Sequence, residues 1–208
     1  HGFVGDKTTF EEMENILLDN RLYPPIPNSP LINRVDYFIS SLFNFNVNRK
    51  VAQNGINDVL MKARSDNYSS GKVILISHSM GGILSRLYLQ STYSDCPYRQ
   101  DILKIITANT PHYGTQFANN GVRDLKILET ALKIIYPNTS IVITGINSLF
   151  LGAINDMKVN SYPIIHALNI PLSQQNKVAS VTLSTDQKGD ENAWAKAIRI
   201  IFWYALGF

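Results

Sequence analysis

Ser79, in Ser77-His78-Ser79-Met80-Gly81, is the residue of this chain best placed to do chemistry. A serine hydroxyl is a weak nucleophile. It works only when a base takes its proton and the backbone holds the oxygen out where a carbonyl carbon can reach it. A sharp strand-to-helix turn provides that exposure, and the flanking residues predict such a turn. Val73-Ile74-Leu75-Ile76 is a β-branched and aliphatic run that reads as a fully buried strand. Ile83 to Leu89 then carries an apolar helical spacing. Small residues two before and two after the nucleophile suit a crowded bend, and here they are Ser77 and Gly81. The usual pattern has Gly where Ser77 stands.

The elements that must position this serine follow an alternating rhythm. Overlapping capping boxes, Thr8 with Glu11 and Thr9 with Glu12, predict a helix running through Met13, Ile16 and Leu17 to about Asn20. Pro24, Pro25, Pro27 and Pro30 enforce an extended loop. Residues 34–40 read as a strand. Residues 51–63 read as a helix with Ile56, Val59, Leu60 and Ala63 on one face. Ile102 to Ala108 and Val178 to Leu183 are further strands. Strands alternating with helices predict an α/β fold with a mostly parallel sheet flanked by helices. Between about 115 and 171 the rhythm breaks. A helical run at 125–135 and a very apolar stretch at 141–154 predict a helical, apolar cap inserted over the sheet's functional edge.

Composition bounds the classes of function. The 208 residues, 45% hydrophobic and 17% charged, suit one globular domain with a sizeable core. The formal net charge of +3 is dispersed, and no basic run is interleaved with aromatics, so nucleic acid is not an expected partner. No glycine-rich phosphate loop occurs. The single Cys96 excludes an internal disulfide and a cysteine zinc site, and it leaves the compartment open. Both ends read as cut. The apolar stretch Ile198 to Phe208 is too short to span a bilayer and is expected to be a buried helix.

With these residues in view, the chain resembles the α/β-hydrolase superfamily. Within it the likeness is to the lipase and esterase group that includes bacterial triacylglycerol lipases and inositol-deacylase-like proteins. His1-Gly2-Phe3-Val4-Gly5 resembles the His-Gly oxyanion loop, and Ser77 to Gly82 with Arg86 resembles the elbow and its helix. Asn109 to Thr115 is similar to a Pro-His-x-Gly segment. Ala153 to Met157, with Ser161 and Leu168-Asn169, echoes the end of a cap. The resemblance implies a single partial α/β-hydrolase domain over 1–208, truncated at both ends. Ser79 would be the nucleophile, and the Phe3 and Met80 N–H groups the oxyanion donors.

The fold orders its triad as Ser, then Asp or Glu, then His. The histidines are His1, His78, His112 and His166, and all precede the last strand. By this order the base is expected beyond Phe208. His78 is expected to pack locally and His112 to stabilise its loop. Asp186 is a weak candidate acid, and Asp190 a weaker one.

The implied activity is hydrolysis of lipid or other hydrophobic esters, with no cofactor and no metal. Tyr113, Phe117 and the cap residues Ile143, Ile146, Leu149, Phe150 and Leu151 would line an apolar acyl pocket. The cap would also allow contact with a membrane or lipid surface. An acyltransferase using the same serine, and a non-catalytic binding protein of the same fold, stay open as alternatives.

Overall fold

The computed structural model describes residues 1–3, 5–18, 31–38, 40–121, 152–168 and 175–183. Three strands, β1 (Val73–His78), β2 (Ile102–Ala108) and β3 (Ala179–Leu183), form a parallel sheet in the order β1-β2-β3. His78 of β1 pairs with Ala108 of β2, and Ala108 pairs with Leu183 of β3, so all three strands end at one level. β1 runs two residues further than the apolar run suggested, carrying the chain to the edge of Ser79.

The described residues include the helices α1 (Glu11–Leu17), α2 (Phe45–Asn48), α3 (Val51–Ser65) and α4 (Met80–Leu89). The apolar side of α3 buries Ile56, Leu60 and Ala63, as the spacing predicts. The start of α1 differs from expectation. Asp6, not a threonine, accepts from the Thr8 N–H at 2.7 Å and caps a short 3-10 turn, Lys7–Phe10, that leads into α1.

The described residues of the expected strand at 34–40, which are 34–38 and 40, do not form one. Their alternation suits one, but the backbone groups of Tyr37 and Phe38 are already taken. The Tyr37 N–H goes to the His1 ring, the Phe38 N–H to Asp36 Oδ1, and the Tyr37 carbonyl accepts the Ser41 N–H at 2.7 Å. An N–H bonded to a side chain is not available to a ladder.

Two apolar clusters hold the described residues together. One gathers Met80, Ile83 and Leu84 of α4 with Tyr37, Phe45 and Ile154. The other gathers Tyr88 and Leu89 with Ile56, Ile102 and Ile105. α4 therefore belongs to both, its first turn anchored in one and its last in the other. β1 is less buried than its composition suggested, since Ile74 is 52% exposed. Along β1 and α3 runs an apolar cleft of about 490 Å³, lined by Val59, Leu60, Ile74 and Ile76 and reaching His1 and Ser77 beneath the turn. Ser79 does not line it.

Among the described residues no helix is long and apolar enough to cross a membrane. The cap residues 143, 146 and 149–151 and the stretch 198–208 lie outside the described residues.

Candidate active site

Strand β1 ends at His78, helix α4 begins at Met80, and Ser79 alone makes the turn between them. Its backbone sits at φ 52°, ψ −126°. That conformation is sparsely populated for a residue with a Cβ and costs of order 1–3 kcal/mol. Two bonds impose it. The Ser79 N–H donates to the Ala108 carbonyl at 2.9 Å, extending the β1–β2 ladder past the end of β1. The Ser79 carbonyl accepts the Gly82 N–H at 3.0 Å, starting the first turn of α4. The side chain is left partly exposed while its neighbours Ser77 and Met80 are buried.

Ser77 earns its place through its hydroxyl. Ser85 Oγ donates to the Gly81 carbonyl at 2.9 Å, so its proton is committed and it must accept from Ser77 Oγ, 2.7 Å away. The serine that departs from the usual glycine thus ties β1 to the second turn of α4. The reason for Gly81 differs from the one inferred from sequence. A Cβ there would lie 2.6 Å from the His1 carbonyl oxygen and 3.3 Å from Tyr37 Oη, so the crowding comes from the 1–3 loop and not from Ser77.

That loop lies directly against the serine. A Cβ on Gly2 would sit 2.9 Å from Ser79 Cβ and 3.3 Å from Ser79 Oγ. The Gly2 carbonyl accepts the Gly5 N–H at 3.1 Å, and this turn carries Phe3. Phe3 packs against the cluster that holds Met80, Ile83 and Leu84. Met80 opens α4, where helix geometry gives an N–H no acceptor within the helix. The three sequence-predicted residues, Ser79, Met80 and Phe3, are therefore brought to one end of the sheet.

Two of the histidines have both ring nitrogens engaged. His112 Nδ1 accepts from the Arg86 guanidinium at 3.1 Å, and a guanidinium can only donate. Its Nε2 carries the proton and donates to Thr107 Oγ1 at 3.1 Å, and Thr107 donates on to Thr182 Oγ1 at 3.2 Å. Burial, then the Arg86 charge, holds the His112 pKa below its ordinary value. Arg86 also donates to the Leu168 carbonyl at 2.7 Å. His112 is thus a neutral bridge joining β2, β3, α4 and the 163–168 turn, which agrees with a loop-stabilising part. His1 is likewise buried and bonded at both nitrogens, to Gly2 and Tyr37. His78 is half-buried, and burial lowers its pKa.

The His166 side chain, Asp186 and Asp190 lie outside what the structure describes. Tyr113 is 76% and Phe117 40% exposed, on the segment that leaves the end of β2. Asp156, in the segment that echoes a cap's end, accepts the Phe45 N–H at 2.6 Å, and burial raises its pKa. Among the described residues no group of three or more His, Cys, Asp or Glu could hold a metal ion.

Sequence reasoning missed Tyr37, which it assigned to a strand. It also missed the Arg86–His112–Thr107–Thr182 chain, in which Thr107 and Thr182 are bonded across 75 positions. No local signal marks either.

Residues 43–188, well over half of the chain, match the family described as PGAP1-like alpha/beta domain. No curated protein and no solved structure matches the chain. The matched range contains the Ser79 turn, all three strands and the His112 bridge, and it begins after the 1–3 loop. The chain belongs to the PGAP1-like alpha/beta domain family, an α/β-hydrolase-like family.

Proposed function

We propose that the protein is a serine hydrolase that cleaves carboxylic esters, with lipid or other hydrophobic acyl esters as substrates, through an acyl-enzyme on Ser79. The observation that carries this reading is the strained backbone of Ser79 at a strand–helix junction, with the Gly2 backbone packed against its side chain. Strain of this kind persists where the surrounding structure over-determines it, and an exposed nucleophile is a use for it. The family match supports a hydrolase or deacylase, and removal of an acyl group from an alcohol is ester hydrolysis.

In this reading a histidine following β3 takes the Ser79 proton as the oxygen attacks the ester carbonyl. His1 and His112 are unsuited to that task because neither has a free nitrogen to offer. Negative charge gathers on the carbonyl oxygen, where the Phe3 and Met80 N–H groups stabilise it. The histidine returns its proton to the leaving alcohol, which departs and leaves an acyl-serine. Water, deprotonated by the same histidine, then releases the acid. The exposed rings of Tyr113 and Phe117 favour a hydrophobic acyl chain.

The test is covalent labelling of the full-length protein with a fluorophosphonate. Labelling of the wild type that disappears in Ser79→Ala supports the reading, and equal labelling of both rejects Ser79. Transfer of the acyl group to an added alcohol in preference to water would move the assignment to an acyltransferase.

A further inference from the structure

Tyr37 lies outside every motif of the sequence, yet it bonds to and stacks on His1, in the loop beside Ser79. Its backbone N–H donates to His1 Nε2 at 3.0 Å, and its hydroxyl donates to the His1 carbonyl. Its ring stacks on the His1 imidazole, with centroids 3.9 Å apart and planes 13° off parallel. Both residues are buried, with Tyr37 7% and His1 5% exposed.

The bonding settles the state of the imidazole. A backbone N–H can only donate, so Nε2 is the unprotonated acceptor. Nδ1 then carries the hydrogen and donates to the Gly2 carbonyl at 3.0 Å. That carbonyl also closes the turn that carries Phe3. On the other side Tyr37 meets the elbow, because a Cβ on Gly81 would come within 3.3 Å of Tyr37 Oη and 2.6 Å of the His1 carbonyl oxygen. Burial pushes the Tyr37 phenol well up, so its hydroxyl remains a donor at any working pH. Asp36 Oδ1, 3.5 Å from His1 Nε2, is the nearby charged group.

We infer that Tyr37 is a positioning residue for the oxyanion hole. Through His1 it sets the distance between the loop that carries the Phe3 N–H and the helix start that carries the Met80 N–H. The inference rests on the ester-hydrolase reading. The hydroxyl bond holds the loop's backbone, the backbone bond and the stacked ring fix the imidazole, and the imidazole holds the Gly2 carbonyl. Each link bears on the 1–3 loop, and none touches substrate.

Tyr37→Phe in the full-length protein keeps the stacked ring and the backbone bond and removes only the hydroxyl. Tyr88→Phe is the matched control. Tyr88 is a fully buried tyrosine whose hydroxyl bonds Asp101 at 2.8 Å at the far end of α4. Both variants are expected to lose thermal stability, Tyr88→Phe at least as much as Tyr37→Phe because its hydroxyl bonds a buried carboxylate. Tyr37→Phe should in addition lower kcat on a nitrophenyl ester about tenfold with KM nearly unchanged, short of the roughly hundredfold that removing an oxyanion donor costs. Its affinity for a trifluoromethyl ketone, which mimics the charged intermediate, should weaken by the same factor. Tyr88→Phe should change neither.

Equal kcat in Tyr37→Phe and wild type, or an equal loss in Tyr88→Phe, overturns the positioning assignment and leaves the hydrolase reading standing. A wild type that cleaves no ester overturns both.

Discussion

The Gly2 backbone rests on the Ser79 side chain so closely that a methyl group at position 2 would lie 2.9 Å from Ser79 Cβ. Real Cβ contacts are not found at that distance, so Gly2→Ala must displace the loop, the serine or both. The expected result is loss of about 1–3 kcal/mol of stability. Ester hydrolysis should fall about a hundredfold or more, because the Phe3 N–H moves with the loop. Urea unfolding and kcat on a nitrophenyl ester check the two parts. Full activity in Gly2→Ala would mean the loop has no part in the reaction.

The Ser77–Ser85 pair has a direction, and the direction predicts an asymmetry. Ser77→Ala removes a donor and leaves the Ser85 proton on the Gly81 carbonyl, costing about 0.5–1.5 kcal/mol. Ser85→Ala strands the buried Ser77 hydroxyl without its acceptor, and leaving such a donor unmade costs about 1–3 kcal/mol. Urea midpoints of the two variants give the comparison. If Ser77→Ala proved the more damaging, the assignment of donor and acceptor would be reversed.

Acid should destabilise the protein in part through His112. Its pKa is held below the ordinary value of 6.5 because burial and the Arg86 charge oppose a second proton. Below that value the unfolded chain binds a proton that the folded state resists, so stability is full above about pH 6.5 and declines as pH falls towards the folded pKa. His112→Asn removes the titrating ring, so it should flatten the decline that begins below the ordinary value of 6.5 while lowering stability at neutral pH. Part of the slope should survive, because His78 is shifted in the same direction. Chemical denaturation across this range gives the measurement, and an unchanged slope in His112→Asn would refute a neutral bridge.

The elements around Ser79 were legible from residue order because their causes are short-range. The aliphatic run at 73–76 and the spacing at 83–89 each satisfy a periodicity within a few residues, and β1, α3, α4 and β2 form where these patterns lie. The elbow's strain is equally local, since one residue must reverse the chain between strand and helix. The burial of β1 was overestimated for a related reason. Composition reports what a strand tolerates on both faces, while packing decides what covers it, and Ile74 stays exposed.

What residue order by itself determined is where a nucleophile could stand, at Ser79, and which elements would carry it. Tertiary structure alone decided what holds the surroundings of that serine. Tyr37 reaches back 36 positions to His1, and Arg86 reaches 26 forward to His112 and 82 forward to Leu168. Residues 34–40 alternate like a strand, yet Tyr37 and Phe38 give their N–H groups to side chains because His1 and Asp36 lie within reach. A local pattern registers the preferences of a turn or two of chain. A buried hydrogen bond is chosen by whichever partner the fold brings within about 3 Å, and that choice exists only once the chain has closed on itself.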